Sequence, residues 1–161
     1  MAEKRLDFED VEVGAEVPPL VRGPLDTPDI VRFSAAVENF EKLHHNAQWC
    51  KENGFPDMLV NGPLRQAYLA SLLTEWIGES GFLKKLACSH RGMDLPGNTL
   101  TAKGRVTRKY EKDGLGLVEC EVWVENQKGE ITCPGTATVV LPRRGGPPAP
   151  IEYPAPPRAR P

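Results

Sequence analysis

From Asn39 to Gly62 the chain reads NFEKLHHNAQWCKENGFPDMLVNG. A histidine pair, His44 and His45, stands ahead of Gly54-Phe55-Pro56 and then Asn61-Gly62, and the stretch delivers the chain into a long apolar run. Between Pro63 and Ile77, Leu64, Ala67, Tyr68, Leu69, Ala70, Leu72, Leu73, Trp76 and Ile77 cover most of a helical circumference. A helix apolar nearly all round is a buried one, and Gly78 ends it.

Past Gly78 the period changes from helical to two. Leu100, Ala102, Gly104 and Val106 alternate with Thr, Lys and Arg. Val118, Cys120, Val122 and Val124 alternate with Glu119, Glu121, Trp123 and Glu125, and Ile131, Cys133, Gly135, Ala137, Val139 and Leu141 repeat the pattern. Strict alternation marks antiparallel strands buried on one face. Turns are expected at Lys112–Gly116 and Gln127–Gly129, and Leu83–Gly92 reads as a less regular fourth strand. A long buried helix followed by a run of antiparallel strands is an α+β arrangement.

Ahead of the quoted stretch, a short strand is expected near Glu16–Val21, at a sheet edge because Pro18-Pro19 interrupts it. Thr27-Pro28-Asp29 predicts a helix over 28–38 with Thr27 as its cap, turning Ile30, Val31, Phe33, Ala36 and Val37 to the core. A second short helix, Ala47–Glu52, stops at Asn53-Gly54. Residues 1–141 thus form one domain. Residues 142–161, dominated by Pro, Arg, Gly and Ala, carry too little apolar surface for a core and read as a disordered or loosely draped tail that folding does not need.

The 161 residues are one domain's worth, with a formal net charge of -2 and a pI near 6.0. That balance gives no electrostatic case for nucleic acid or an anionic membrane. No segment is apolar over the length a bilayer requires, and the polar N-terminus is unlike a signal peptide, so a cytosolic protein is expected. Cys50, Cys88, Cys120 and Cys133 show no short Cys–Cys spacing; they read as buried reduced thiols, with no metal and no cofactor. His90 reads as structural.

The order of residues 39–77 resembles the signature of the MaoC-like, (R)-specific enoyl-CoA hydratases of the hot-dog superfamily: Asp, any residue, Asn, Pro, any residue, His, then Gly-Phe-Pro, then His-Gly opening the central helix. The resemblance covers roughly residues 8–141 and implies a curved antiparallel sheet wrapped around one long helix. It also implies a hydro-lyase acting on a 2-enoyl-CoA thioester. The family's catalytic histidine falls on His44. Its aspartate falls on Asn39, its second histidine on Asn61, and its Asn-Pro on Glu41-Lys42. The resemblance places the Gly62 amide at the thioester oxygen, a role suited to a helix N-terminus, and Pro63 has no amide hydrogen to compete. His45, Asn61, Phe55 and Trp76 are then candidates for substrate contact.

A narrower resemblance, carried by FEKLHHN, DMLVNG and a Thr-Glu-Trp-Ile-Gly helix end, is to small MaoC-like hydratase subunits of bacterial steroid side-chain degradation. It implies a bulky acyl-CoA and a double hot-dog assembly, either a homodimer or a heteromer with a second MaoC-like chain. Asparagine can hold a water but cannot take its proton. A non-catalytic subunit that completes a heteromer or binds acyl-CoA therefore stands beside the hydratase as an alternative. An acyl-CoA thioesterase comes third, since its helix carboxylate would have to be Glu75, in the last turn.

Overall fold

The computed structural model of the chain describes residues 5–150. Five strands, β1 (Glu16–Arg22), β2 (Phe82–Cys88), β3 (Leu100–Lys112), β4 (Leu115–Asn126) and β5 (Ile131–Leu141), form one sheet in the order β1-β3-β4-β5-β2. Every neighbouring pair is antiparallel. The helices are α1 (Thr27–Ala36), α2 (Ala47–Glu52) and α3 (Gly62–Ile77), with a 3-10 turn at Lys42–His44. This is the α+β arrangement expected, with α3 as the central helix in contact with all five strands.

The core forms where the period-two face of the sheet meets α3. Leu100, Val106, Val118, Val122, Val124 and Val139 from the sheet meet Leu69, Leu72, Leu73 and Ile77 from the helix, all essentially without solvent exposure. Truncating a buried leucine of this kind to alanine costs about 2–5 kcal/mol. The β3–β4 hairpin turns at Asp113-Gly114, both at positive φ (52° and 76°). That is the backbone a two-residue hairpin needs to match strand twist, which makes Asp-Gly suited to it.

Several expectations shift by a residue, for identifiable reasons. The cap of α1 is Asp26, which accepts from the Asp29 amide at 2.9 Å while Asp29 accepts from the Asp26 amide at 3.1 Å. This reciprocal box moves Thr27 from the cap into the first turn. Helix α1 buries Ile30 and Ser34, whereas Val31 and Val37 are exposed. In β5, Ile131 is exposed and Thr132 buried. Pairing with β4 runs from Val124–Cys133 to Glu125–Ile131, which skips Thr132. One extra residue in a strand is a bulge, and it reverses the alternation beyond it.

Strand β1 lies at an edge, and its register slips between Val17 and Leu20, across Pro18-Pro19. The tail is not loose over its first part. Phe8 donates to the Pro142 carbonyl at 2.8 Å, Arg143 pairs with Glu9 at 2.6 Å and Glu111 at 2.7 Å, and Arg144 pairs with Asp10. Ala149 donates to the Ser80 carbonyl at 2.8 Å. Residues 151–161, the rest of the expected tail, lie outside the described residues.

Candidate active site

His44 closes the 3-10 turn between α1 and α2 and is buried, at 9% exposure. Two backbone groups of one residue hold the turn against the segment entering α3: Leu59 donates its amide to the Leu43 carbonyl at 3.0 Å, and its carbonyl lies 2.8 Å from His44 Nδ1. A carbonyl oxygen only accepts, so Nδ1 carries the proton. In a neutral imidazole that leaves Nε2 as the basic nitrogen. The ring is thus fixed in both orientation and tautomer.

Asn39 follows the turn that ends α1, where Glu38 adopts a positive φ of 54°. Its amide donates to the Ser34 carbonyl at 2.9 Å, and its Oδ1 accepts from the Glu41 amide at 3.3 Å. The side chain therefore braces the loop that presents His44. His45 turns outward, its Nε2 3.0 Å from the Phe40 carbonyl. Phe55 is half-buried behind Gly54, its amide bonded to the Cys50 carbonyl at 2.9 Å.

Asn61 occupies the cap position of α3 but does not cap it. Its side chain is fully buried and donates to Ser34 Oγ at 3.1 Å, which ties α1 to the start of α3. The first-turn amides of α3 thus have no capping side chain, and unpaired amides at a helix start favour negative charge. Gly62 is closely approached: a Cβ there would lie 2.8 Å from His90 Cδ2. His90 was expected to be merely structural, yet its ring lies against the residue that opens the helix.

Trp76 is at the other end of α3. Fourteen residues along a helix separate it from Gly62 by about 21 Å. It lines a cleft of about 290 Å³ with Pro18, Pro19, Leu20, Leu72 and Glu75. The structure therefore gathers His44, Asn39, Asn61 and Gly62 around the N-terminal end of α3 and leaves Trp76 and His45 outside that group. Glu75 is exposed and pairs with Arg22 at 3.3 Å, which removes it from this end of the helix as well.

The residues that sequence reasoning missed are Arg65 and Asp94. Arg65 is buried within α3 and donates through Nη1 to the Gly92 carbonyl (2.7 Å), Asp94 Oδ2 (3.1 Å) and the Thr132 carbonyl (3.3 Å). The Asp94 carbonyl in turn accepts from the Val60 amide at 2.8 Å, next to the Leu59 that orients His44. A signal was present. Arg65 stands at helical spacing from Leu69 and Leu72, on the stripe that the apolar pattern assigns to the core.

A family model described as hydroxyacyl-thioester dehydratase type 2 matches residues 19–89, a span from within β1 through β2 that contains Asn39, His44, Asn61, Gly62 and Arg65 but not His90 or Asp94. Similar solved structures agree. The ChsH1-ChsH2 complex from Mycobacterium tuberculosis matches at 25% identity, over 81% of this chain and 98% of that one, with a TM-score of 0.70. The (R)-hydratase from A. caviae involved in PHA biosynthesis matches at 22% identity, over 83% and 99%, with a TM-score of 0.75. This is the hot-dog fold of the MaoC-like (R)-hydratase and dehydratase family. The R-hydratase PhaJ1 from Pseudomonas aeruginosa, 18% identical over 86% of this chain and 87% of that one, superposes with a TM-score of 0.78. No curated protein matches the chain. Among the described residues, no helix is long and apolar enough to cross a membrane.

Proposed function

We propose that this MaoC-like chain is a hydro-lyase that adds water to, or removes it from, a 2-enoyl-CoA thioester, with His44 as the residue that moves the proton. The observation that carries this is the state of His44: buried, its Nδ1 committed to the Leu59 carbonyl at 2.8 Å, and Nε2 left basic. Hydration needs a base for the attacking water, a proton for the α-carbon and donors for the enolate-like thioester oxygen. In this reading His44 Nε2 takes the proton from the water that attacks the β-carbon and delivers it to the α-carbon, Asn39 steadies the water, and the uncapped amides at Gly62 face the oxygen. The substrate is an acyl-CoA with a bulky acyl group, and the working form is a homodimer or a pair with a second MaoC-like chain. That one of the similar structures is a two-component complex supports the pairing.

A specific observation favours the second reading, a non-catalytic subunit of such a pair. Asn39 cannot accept a proton, and its amide oxygen already takes the Glu41 amide at 3.3 Å. Loss of enoyl absorbance, followed over a panel of enoyl-CoA thioesters, distinguishes the two. For the hydro-lyase, the wild type turns over alone and His44→Ala loses about 10²–10⁴ in rate, the usual worth of a general base. Asn39→Asp keeps or raises the rate, because a second acceptor appears at nearly the same shape. A wild type active alone that loses nothing on His44→Ala refutes the role of His44. A wild type active only with a partner chain, and indifferent there to His44→Ala, establishes the second reading.

A further inference from the structure

We propose that Cys88, His90 and Cys133 form a three-ligand zinc site between the end of β2 and β5, a site independent of the hydro-lyase reading. The register of the sheet builds it. Cys88 stands opposite Gly135, and the antiparallel pairing continues past the end of β2: Ser89 donates to the Pro134 carbonyl at 2.9 Å and Arg91 to the Thr132 carbonyl at 3.0 Å. Those two bonds bracket His90 and Cys133 and set them directly opposite each other. Residues opposite each other, and residues two apart on one strand, share a face of a sheet. Cys88, His90 and Cys133 therefore point to one side together.

Their donor atoms converge to the spacing a metal requires. His90 Nδ1 lies 3.5 Å from Cys133 Sγ, and the three donor atoms all lie within 4.8 Å of one another. Zinc binds thiolate at about 2.3 Å and imidazole nitrogen at about 2.0–2.1 Å, so two such ligands on a tetrahedral centre stand about 3.5 Å apart. Two thiolates on the same centre stand about 3.8 Å apart, a short adjustment from a spacing of 4.8 Å or less. All four cysteines are free. A donor set of two thiolates and one imidazole selects a borderline-soft cation such as zinc over magnesium or calcium.

The surroundings suit a cation that arrives from solvent. Cys133 is fully buried, Cys88 half-buried and His90 exposed. The exposed imidazole opens the site to solvent on its own face of the sheet, so water can take the fourth coordination position. Three protein ligands plus water is a recognised zinc arrangement. The expectation of no metal rested on the lack of a close Cys–Cys spacing, which passes over the pair Cys88 and His90, two residues apart. A bound ion would also hold the His90 ring where a Cβ on Gly62 would meet it, at the opening of α3.

The test is the metal content of the full chain, reduced and then given zinc. Bound zinc is measured by competition with a chromophoric chelator. Thiolate-to-cobalt charge transfer after cobalt substitution reports sulfur ligation. One equivalent per chain is expected, with strong thiolate–cobalt absorbance. Cys88→Ser, at the half-buried margin of the core, and His90→Gln, at an exposed position, should each lower affinity by at least the roughly 10–100-fold that loss of a mere outer partner costs. Circular dichroism should show both variants folded. Zinc should also protect Cys88 and Cys133 from alkylation. No zinc retained by the reduced wild type, or zinc retained equally by both variants, overturns the proposal.

Discussion

Replacing Arg65 with methionine strands Asp94. The aspartate is 0% exposed, the arginine side chain 6%, and their 3.1 Å ion pair is supplemented by Arg65 bonds to the Gly92 and Thr132 carbonyls. Methionine fills much of the same volume but donates nothing, which leaves a buried carboxylate and two carbonyls without their donor. Removing one partner of a buried pair typically costs about 3–5 kcal/mol. For a domain of this size that corresponds to a fall in thermal midpoint of roughly 6–20 °C, read by calorimetry or circular dichroism. Because Asp94 Oδ1 and Arg65 Nε have no hydrogen-bond partner among the described residues, the pair is not fully satisfied even when intact. Arg65→Met combined with Asp94→Leu should therefore cost clearly less than Arg65→Met alone. A loss below about 1 kcal/mol in the single variant, or a double variant no better than the single, would refute the claim that the charge, rather than packing, is what Arg65 supplies.

The clasp of the 142–150 segment should be measurable by truncation. A chain ending at Leu141 loses the Arg143 and Arg144 pairs and the Pro142 bond to Phe8, so its thermal midpoint should fall measurably. A chain ending at Pro150 keeps those contacts and should melt above the one ending at Leu141; equal midpoints for both truncations would show that the clasp adds nothing. The Glu9 carboxyl, held down to about 2 chiefly by the Arg144 amide and further by the Arg143 side chain, should titrate there by NMR rather than near its ordinary 4.5. Because the folded value is depressed, its contribution is present above pH 4.5 and fades as pH falls toward 2, and Arg143→Ala should narrow that window.

What the sequence disclosed and what it withheld divide along the range of the interactions. The strand faces around Val106, Val122 and Val139 were legible because period two is a local property of each strand. The bulge at Thr132 was not, since it exists only relative to the β4 partner, and it put Ile131 on the wrong face. The cap of α1 was displaced by one residue because Asp26 and Asp29 satisfy each other's amides, an option that Thr27 forecloses nowhere in the sequence. His44 was legible from its motif spacing, but not the Leu59 carbonyl that sets its tautomer. The meeting of Cys88 and His90 with Cys133 depends on strand register across more than forty residues, which no local pattern encodes.

The proline pair in β1 has a consequence for how two such chains could join. Pro18 and Pro19 offer no amide hydrogen on one outer margin of the sheet, so a neighbour that tried to add its own strand there would find a gap in the ladder. The opposite margin, β2, has no proline from Phe82 to Cys88. A sheet continued through a second chain would be seamed along β2, and the β1 margin would remain a built-in stop against end-to-end polymerisation.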